Sequence, residues 1–249
     1  MEKVSVIIPT YNRFNNLLNA IDSVTNQTYK NIEIIVVNDC STQKEYYTFD
    51  FKTLGENIYI IHLPKNSRQI FGKVAGGGNA RSIGMMIASG EYIAFLDDDD
   101  YWLPTKTEKQ IKAMKETGCE MSTTESFSGK GKYNKDLKYQ VWQYKGVCWG
   151  RLQNIFKNKG HLDLLFKMYQ NEINIWNVES FDIHNCSPTP TVIITRNVMN
   201  KSGYFPLKEY AEDYFYWKEI IKYTNCVFIR EPLVYIDGGH AGSANYWAK

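Results

Sequence analysis

Residues 92–104 read Tyr-Ile-Ala-Phe-Leu-Asp-Asp-Asp-Asp-Tyr-Trp-Leu-Pro. An apolar run fit for a buried strand leads straight into four consecutive carboxylates, Asp97 to Asp100. Adjacent like charges repel and raise one another's pKa, so such a cluster needs something to offset it. A hard divalent cation is the natural partner, because Mg²⁺ and Mn²⁺ prefer oxygen ligands. On an extended backbone residues i and i+2 point the same way, which predicts that Asp97 and Asp99 share one cation. The alternative is a solvated acidic turn; the apolar strand before the run and the aromatic pair after it favour the cation.

Three further places carry chemistry-bearing side chains. Asp39 ends a second apolar run and, when ionised, only accepts hydrogen bonds. It can receive a base N–H or simply cap the next segment. Gly76-Gly-Gly-Asn-Ala-Arg-Ser-Ile-Gly84 matches neither a Walker loop nor a dinucleotide fingerprint. A glycine run entering a helix can still close over phosphates, with Arg81 set against a diphosphate; a solvated surface loop is the other reading. Glu212-Asp213 opens an aromatic helix, where acids commonly serve as dipole partners. His240, in a Gly-rich loop, is either a metal ligand or exposed.

The elements that must position these groups alternate. Val4–Ile8 reads as a strand stopped by Pro9. Asn12 is placed to cap a helix over about 13–26, where Leu17, Leu18, Ile21 and Val24 recur at helical spacing. Strands follow at 32–37, 58–62 and 91–96, with a helix over 79–88 between the last two. A charged helix covers roughly 105–116, and 121–124 reads as another strand. From about 127 to 185 the alternation is lost, and this stretch is read as an insertion. Strands return at 190–195, 226–229 and 233–236, with a helix near 212–223. Repeated strand and helix imply an α/β chain with one Rossmann-like, mostly parallel sheet flanked by helices. In such sheets ligands bind beyond the carboxyl ends of the strands, so Pro9-Thr10-Tyr11, Asn38-Asp39 and Asp97–Asp100 are expected to line one crevice.

Composition sets bounds. The chain has 249 residues, 43% hydrophobic and 22% charged, with a net charge of +2. That suits one large domain and gives no ground for nucleic-acid binding. Five widely spaced cysteines without a CxxC pair argue against a disulfide framework or structural zinc. The first residues lack the longer apolar segment of a secretory leader, and no run of about 18 apolar residues exists to span a bilayer. A cytoplasmic protein is expected, with peripheral membrane contact open. Two glycosylation tripeptides, at Asn26 and Asn185, carry no meaning in a cytosolic chain. Trp102, Trp142, Trp149 and Trp176 are candidates to stack on a ring-shaped ligand, with core packing as their other role.

Together, Val-Ser-Val-Ile-Ile-Pro-Thr-Tyr-Asn-Arg13, Ile-Ile-Val-Val-Asn-Asp39, Gly-Asn-Ala-Arg-Ser-Ile-Gly84, Glu-Tyr-Ile-Ala-Phe-Leu-Asp-Asp-Asp-Asp100 and Glu-Asp213 resemble the family 2 glycosyltransferases of GT-A fold. The resemblance covers about 1–115 closely and about 188–243 more loosely. It implies a single domain over 1–249, with 1–115 binding a nucleotide sugar, most often a UDP-sugar. Residues 116–249 would form the acceptor half, and the insertion at about 127–185 would vary with the acceptor. Thr10, Tyr11, Arg13, Asp39, Arg81, Asp97 and Asp98 would bind the donor. Asp97, Asp99, Asp100 and His240 would hold Mn²⁺ or Mg²⁺, and Asp213 would be the catalytic base. Ser82 stands where the family commonly has Asn, which weakens detailed expectations for that loop alone. The implied reaction is an inverting sugar transfer to a hydroxyl of a saccharide, glycolipid or glycoprotein. A nucleotidyltransferase that makes activated sugars is an alternative, but the first strand lacks the Gly-rich basic loop expected of one. A degenerate binding module is a second alternative, and the complete acidic set speaks against it.

Overall fold

Runs such as Val4-Ser-Val-Ile-Ile8 and Ile32-Glu-Ile-Ile-Val-Val37 suit a sheet buried on both faces, because β-branched side chains pack well on a pleated surface. The computed structural model describes residues 1–74 and 77–239. Gly76 and His240 therefore lie outside the described residues. In chain order, β1 (Val4–Thr10), α1 (Phe14–Thr25), β2 (Ile32–Asn38), α2 (Glu45–Thr48), β3 (Ile58–His62), α3 (Ser67–Phe71), α4 (Gly77–Ile87) and β4 (Tyr92–Phe95) build the first half. Then come β5 (Tyr101–Trp102), α5 (Lys106–Thr117), β6 (Met121–Gly129), β7 (Gln140–Val141), α6 (Trp149–Asn158), α7 (Leu162–Met168), β8 (Ile173–Trp176) and α8 (Val178–Ile183). The chain continues with β9 (Ile193–Thr195), α9 (Arg196–Ser202), α10 (Glu212–Ile220) and β10 (Cys226–Asp237).

One sheet runs in the order β3-β2-β1-β4-β9-β6-β10-β5, with β7 on β6 and β8 on β10. The β3-β2-β1-β4 half is parallel throughout, and the long β6–β10 pair is parallel too. Period-two alternation sends Val4, Val6 and Ile8 to one face and Ile7 to the other. The first face packs against α1 and α5, through Leu17, Ile21, Val24, Ile111 and Met114. The second packs against α4 and α6–α10, through Ala80, Met85, Phe156, Phe181, Val198 and Trp217. Each fully buried Val, Leu, Ile or Phe contributes about 1.5–3 kcal/mol of transfer free energy.

Several local expectations change. Pro9 does not stop β1, which continues to Thr10 in register with Asn38. Leu96 N–H donates to the Ile7 carbonyl (3.1 Å), and by period two Pro9 faces that same side, beyond the end of β4. Asn12 does not cap α1. Its Oδ1 accepts from the backbone N–H of Thr42 (2.7 Å), while Gln43 Oε1 accepts the Phe14 N–H at the start of the helix (3.1 Å). The strand expected from 190 begins only at Ile193, after a 3-10 turn over Thr189–Thr191. The two short strands expected at 226–229 and 233–236 are one strand, β10, with register irregularities around Pro232.

Within 127–185 the elements are stitched into the sheet. β8 pairs with β10, and Trp176 stacks on Phe228 with ring centroids 4.4 Å apart. The buried Glu125 carboxylate accepts the N–H groups of Ser126 (2.9 Å), Gln143 (3.0 Å) and Tyr144 (2.7 Å), pinning the following loop to β6. Trp102 and Trp176 are fully buried, so neither can stack on an acceptor. Trp102 instead donates its indole N–H to the Pro190 carbonyl (2.8 Å), and the buried Lys106 Nζ, whose pKa burial pushes well down, lies 3.7 Å from its ring centroid. Trp149 sits among Tyr144, Phe166 and Tyr169. Among the described residues no helix is long and apolar enough to cross a membrane.

Candidate active site

The carboxyl ends of β1, β2 and β4 and the start of α10 open onto one cleft of about 840 Å³. Thr10, Tyr11, Arg13, Asp39, Arg81, Asp97, Asp98, Asp99 and Asp213 all line it; Asp100 does not. The strand ends converge because parallel neighbours finish at the same edge of the sheet.

The acidic run is folded by a turn and is not extended. Asp100 N–H donates to the Asp97 carbonyl at 3.1 Å, so the extended-backbone reason for pairing Asp97 with Asp99 does not apply. Two arginines offset part of the run's charge. Arg13 Nη1 reaches Asp98 Oδ1 (3.2 Å) and Asp99 Oδ2 (2.8 Å), and Arg81 Nη2 is in close contact with Asp97 Oδ1. Burial, with Asp99 alongside, pushes the Asp98 carboxyl up to about 7 against the pull of Thr10 and Arg13. Asp100 is buried too. It accepts the Asp237 backbone N–H (2.9 Å), and burial with its acidic neighbours holds its carboxyl well above the ordinary range.

Arg81 does more than wait for a phosphate. Its side chain is only 8% exposed, and its second ion pair goes to Glu212 Oε1 at 3.6 Å. The guanidinium is a strut between the end of β4 and the start of α10. Small residues make room for it. A Cβ on Gly77 would lie 2.9 Å from Arg81 Nη1, and one on Gly78 would lie 2.7 Å from Glu212 Cγ.

Beside Glu212, Asp213 is half-buried in the cleft wall. Its Oδ2 accepts from Thr189 Oγ1 (3.1 Å) and Asn185 Nδ2 (3.4 Å), and its Oδ1 accepts from the Tyr214 N–H (2.7 Å). Burial and the neighbouring Glu212 raise its pKa, opposed by Arg81 and these hydrogen bonds. A raised carboxyl pKa makes a stronger base near neutrality. Ala211, just before the pair, has φ 52°, a left-handed conformation that costs a residue with a Cβ about 1–2 kcal/mol. Asn12 (φ 53°) and Cys40 (φ 61°) share it, next to Arg13 and Asp39. Backbone strain of this kind concentrates at functional sites.

Asp39 lines the cleft while organising its wall. Its Oδ1 accepts from Ser67 N–H (2.8 Å) and Ser67 Oγ (2.8 Å), and its Oδ2 from Asn66 Nδ2 (3.1 Å). Tyr11, 46% exposed, stands on the rim. Sequence reading missed Asn185, Thr189 and His184. They come from a stretch without periodicity, and only the fold sets them against Asp213. His184 lines the cleft with Nδ1 2.7 Å from the Asn185 carbonyl, and burial pushes its pKa down to about 4.

Among the described residues no three His, Cys, Asp or Glu side chains form a ready-made metal site. Asp97 and Asp99 nevertheless bring hard carboxylate oxygens to the cleft. Mg²⁺-type ions are typically held by one or two carboxylates, with substrate phosphates and water completing the shell. The donor set therefore suits such an ion.

A model described as glycosyl transferase family 2 matches residues 5–175. The Escherichia coli protein named UDP-Glc:alpha-D-GlcNAc-diphosphoundecaprenol beta-1,3-glucosyltransferase WfaP is 43% identical over 114 residues, covering 46% of this chain and 42% of that protein. The chain spans only about a fifth of the first curated relatives it matches, 19% and 21% of two Rickettsia glycosyltransferases. Staphylococcus aureus TarS (1–349), solved with UDP-GlcNAc, superposes with a TM-score of 0.67 at 20% identity, over 94% of this chain and 58% of that one. The mannosyltransferase PcManGT of Pyrobaculum calidifontis, solved with GDP-Man and Mn²⁺, gives 0.63 at 15% identity, over 98% and 59%. These two likenesses establish the GT-A fold.

Proposed function

This chain belongs to glycosyl transferase family 2 and is a transferase enzyme, and on that footing we propose that it moves a sugar from a nucleotide diphosphate, a UDP-sugar first, to an acceptor hydroxyl with inversion. The observation that carries the reading is the meeting of Thr10, Asp39, the acidic run and Asp213 in one cleft. UDP-GlcNAc in TarS and UDP-Glc in the WfaP name favour uracil. Thr10, Tyr11 and Asp39 would face the nucleoside, and Arg13 and Arg81 would offset the acidic run and the diphosphate. The single-domain organisation, with donor half 1–115 and acceptor half 116–249, belongs to the same proposal, and so does peripheral membrane contact.

Asp97 and Asp99 are the residues that would hold Mn²⁺ or Mg²⁺, and Asp100 is left out because its carboxylate is engaged with Asp237 outside the cleft. When bound, the ion supplies Lewis-acid stabilisation of the departing diphosphate. Asp213 takes the acceptor hydroxyl's proton as the oxygen attacks, with Thr189 and Asn185 fixing its Oδ2. A single displacement inverts the anomeric carbon, whereas retaining enzymes use two.

The experiment is Asp213→Asn and Asp99→Ala, each assayed against a nucleotide-sugar panel with manganese and by UDP calorimetry. Asp213→Asn should lose turnover by about 10²–10⁴-fold with donor affinity spared. Asp99→Ala should lose the metal-dependent part of UDP binding. Near-wild-type turnover in the first variant removes Asp213 as base, and unchanged affinity in the second removes the cation assignment.

A further inference from the structure

Charge in this chain is segregated. Residues 127–160 hold eight Lys or Arg against one Asp, while the rest of the chain holds 21 basic against 26 acidic side chains. Lys130, Lys132, Lys135 and Lys138 crowd the loop between β6 and β7, and all four are exposed. A charge run is ordinarily just a solvated face. Among the described residues Lys130, Lys132, Lys135 and Lys138 form no ion pair, as is also true of the exposed Lys44, Lys65 and Lys167; what sets the four apart is that they fall within nine residues of one loop.

The loop is also held in shape. Tyr133 stacks on Tyr101 at 4.7 Å between centroids, and Tyr139 packs on Tyr235 at 4.7 Å. Tyr235 Oη donates to the Gly131 carbonyl (2.7 Å), and Gly131 N–H donates to Asp237 Oδ1 (2.8 Å). At the tip, Leu137 N–H donates to the Asn134 carbonyl (3.1 Å). That turn leaves Leu137 59% exposed between Lys135 and Lys138. An exposed apolar side chain in a loop with four lysines and one acid, Asp136, fits a boundary between anionic head groups and acyl chains. A soluble polyanion would have no use for the leucine. Tyr101 directly follows the acidic run, and Asp237 N–H is bonded to Asp100, so the loop stands at the cleft end of the sheet.

We propose that the tyrosine-anchored loop 130–138 docks on an anionic lipid bilayer, with Leu137 entering the head-group layer. Docking there would hold the cleft mouth near the membrane, in reach of an acceptor carried on a lipid. The surface stands independently of the donor and base assignments, and its test needs neither.

The test is co-sedimentation of the full chain with phosphatidylcholine vesicles, alone or with about 30% phosphatidylglycerol, at low and physiological salt. The wild type should bind the anionic vesicles only, and less at higher salt. Each lysine near such a surface tightens binding about fivefold, so Lys→Gln at 130, 132, 135 and 138 together should weaken it by at least about a hundredfold. Leu137→Ser should weaken it about tenfold. Unchanged thermal melts would show that both variants remain folded. Binding without preference for anionic lipid, or wild-type binding by the quadruple variant, would overturn the proposal. So would unaltered vesicle binding by Leu137→Ser, which, with dextran sulfate competing, would mark a site for soluble polyanions.

Discussion

Replacing Arg81 with Met tests whether the guanidinium is a structural strut as well as a cleft residue. Methionine keeps the length and apolar stem of the side chain but removes its charge. The buried guanidinium joins Asp97 to Glu212, the latter at 3.6 Å. At an effective dielectric of about 20, one pair of unit charges at that range is worth about 4 kcal/mol of gross attraction. Desolvation offsets much of this. Breaking a wholly buried pair costs about 3–5 kcal/mol. Asp97 and Glu212 remain 30% and 19% exposed, so the freed carboxylates can rehydrate, and we expect a net loss of about 2–4 kcal/mol. For a chain of this size that lowers Tm by about 5–15 °C. Arg81 also lowers the pKa of Asp213. The acid limb of the pH–rate profile should therefore move to higher pH in the variant. Urea and thermal unfolding of both proteins, together with that profile, are the assay. A variant that melts with the wild type, with its acid limb in place, would refute the strut.

Gly84→Ala puts a Cβ 2.5 Å from Ile7 Cγ2, where Ile7 is fully buried beneath α4. Overpacking of about 1–3 kcal/mol should outweigh a helix-propensity gain of about 1 kcal/mol, giving a lower urea midpoint, and a more stable variant would contradict this packing. His184 gives a pH signature. Its pKa falls from 6.5 to about 4 on folding, chiefly through burial. Its contribution is present above pH 6.5 and is lost as pH falls towards 4, about 3 kcal/mol in all. The stability gap between the wild type and His184→Asn should shrink between pH 7 and 4.5 in urea titrations, and parallel profiles would rule the effect out.

Local pattern carried the parallel half of the fold. Apolar runs of five or six residues ending in polar punctuation mark β1, β2 and β4, because a strand covered on both faces is mostly apolar and holds a polar side chain only where it finds a partner, as Ser5 and Glu33 do in each other (2.5 Å). The same punctuation marked Thr10, Asp39 and Asp97–Asp99, since strand ends in such sheets are where ligands bind. The pattern ran out where structure depends on distant partners. β8 is recognisable only by its pairing with β10, and the loop after β6 only by the Glu125 carboxylate that holds it.

The chain's own pattern of residues determined the strand–helix alternation, the family and the acidic run, because side-chain periodicity and consecutive charges are properties of neighbours in sequence. Only the tertiary structure decided that Arg81 bridges Asp97 and Glu212, that Thr189 and Asn185 hold Asp213, and that Asp98 and Asp100 are buried while Asp97 stays more open to the cleft. Those outcomes depend on burial and on contacts between residues up to 137 positions apart. Burial and long-range contact exist only once the chain has closed on itself.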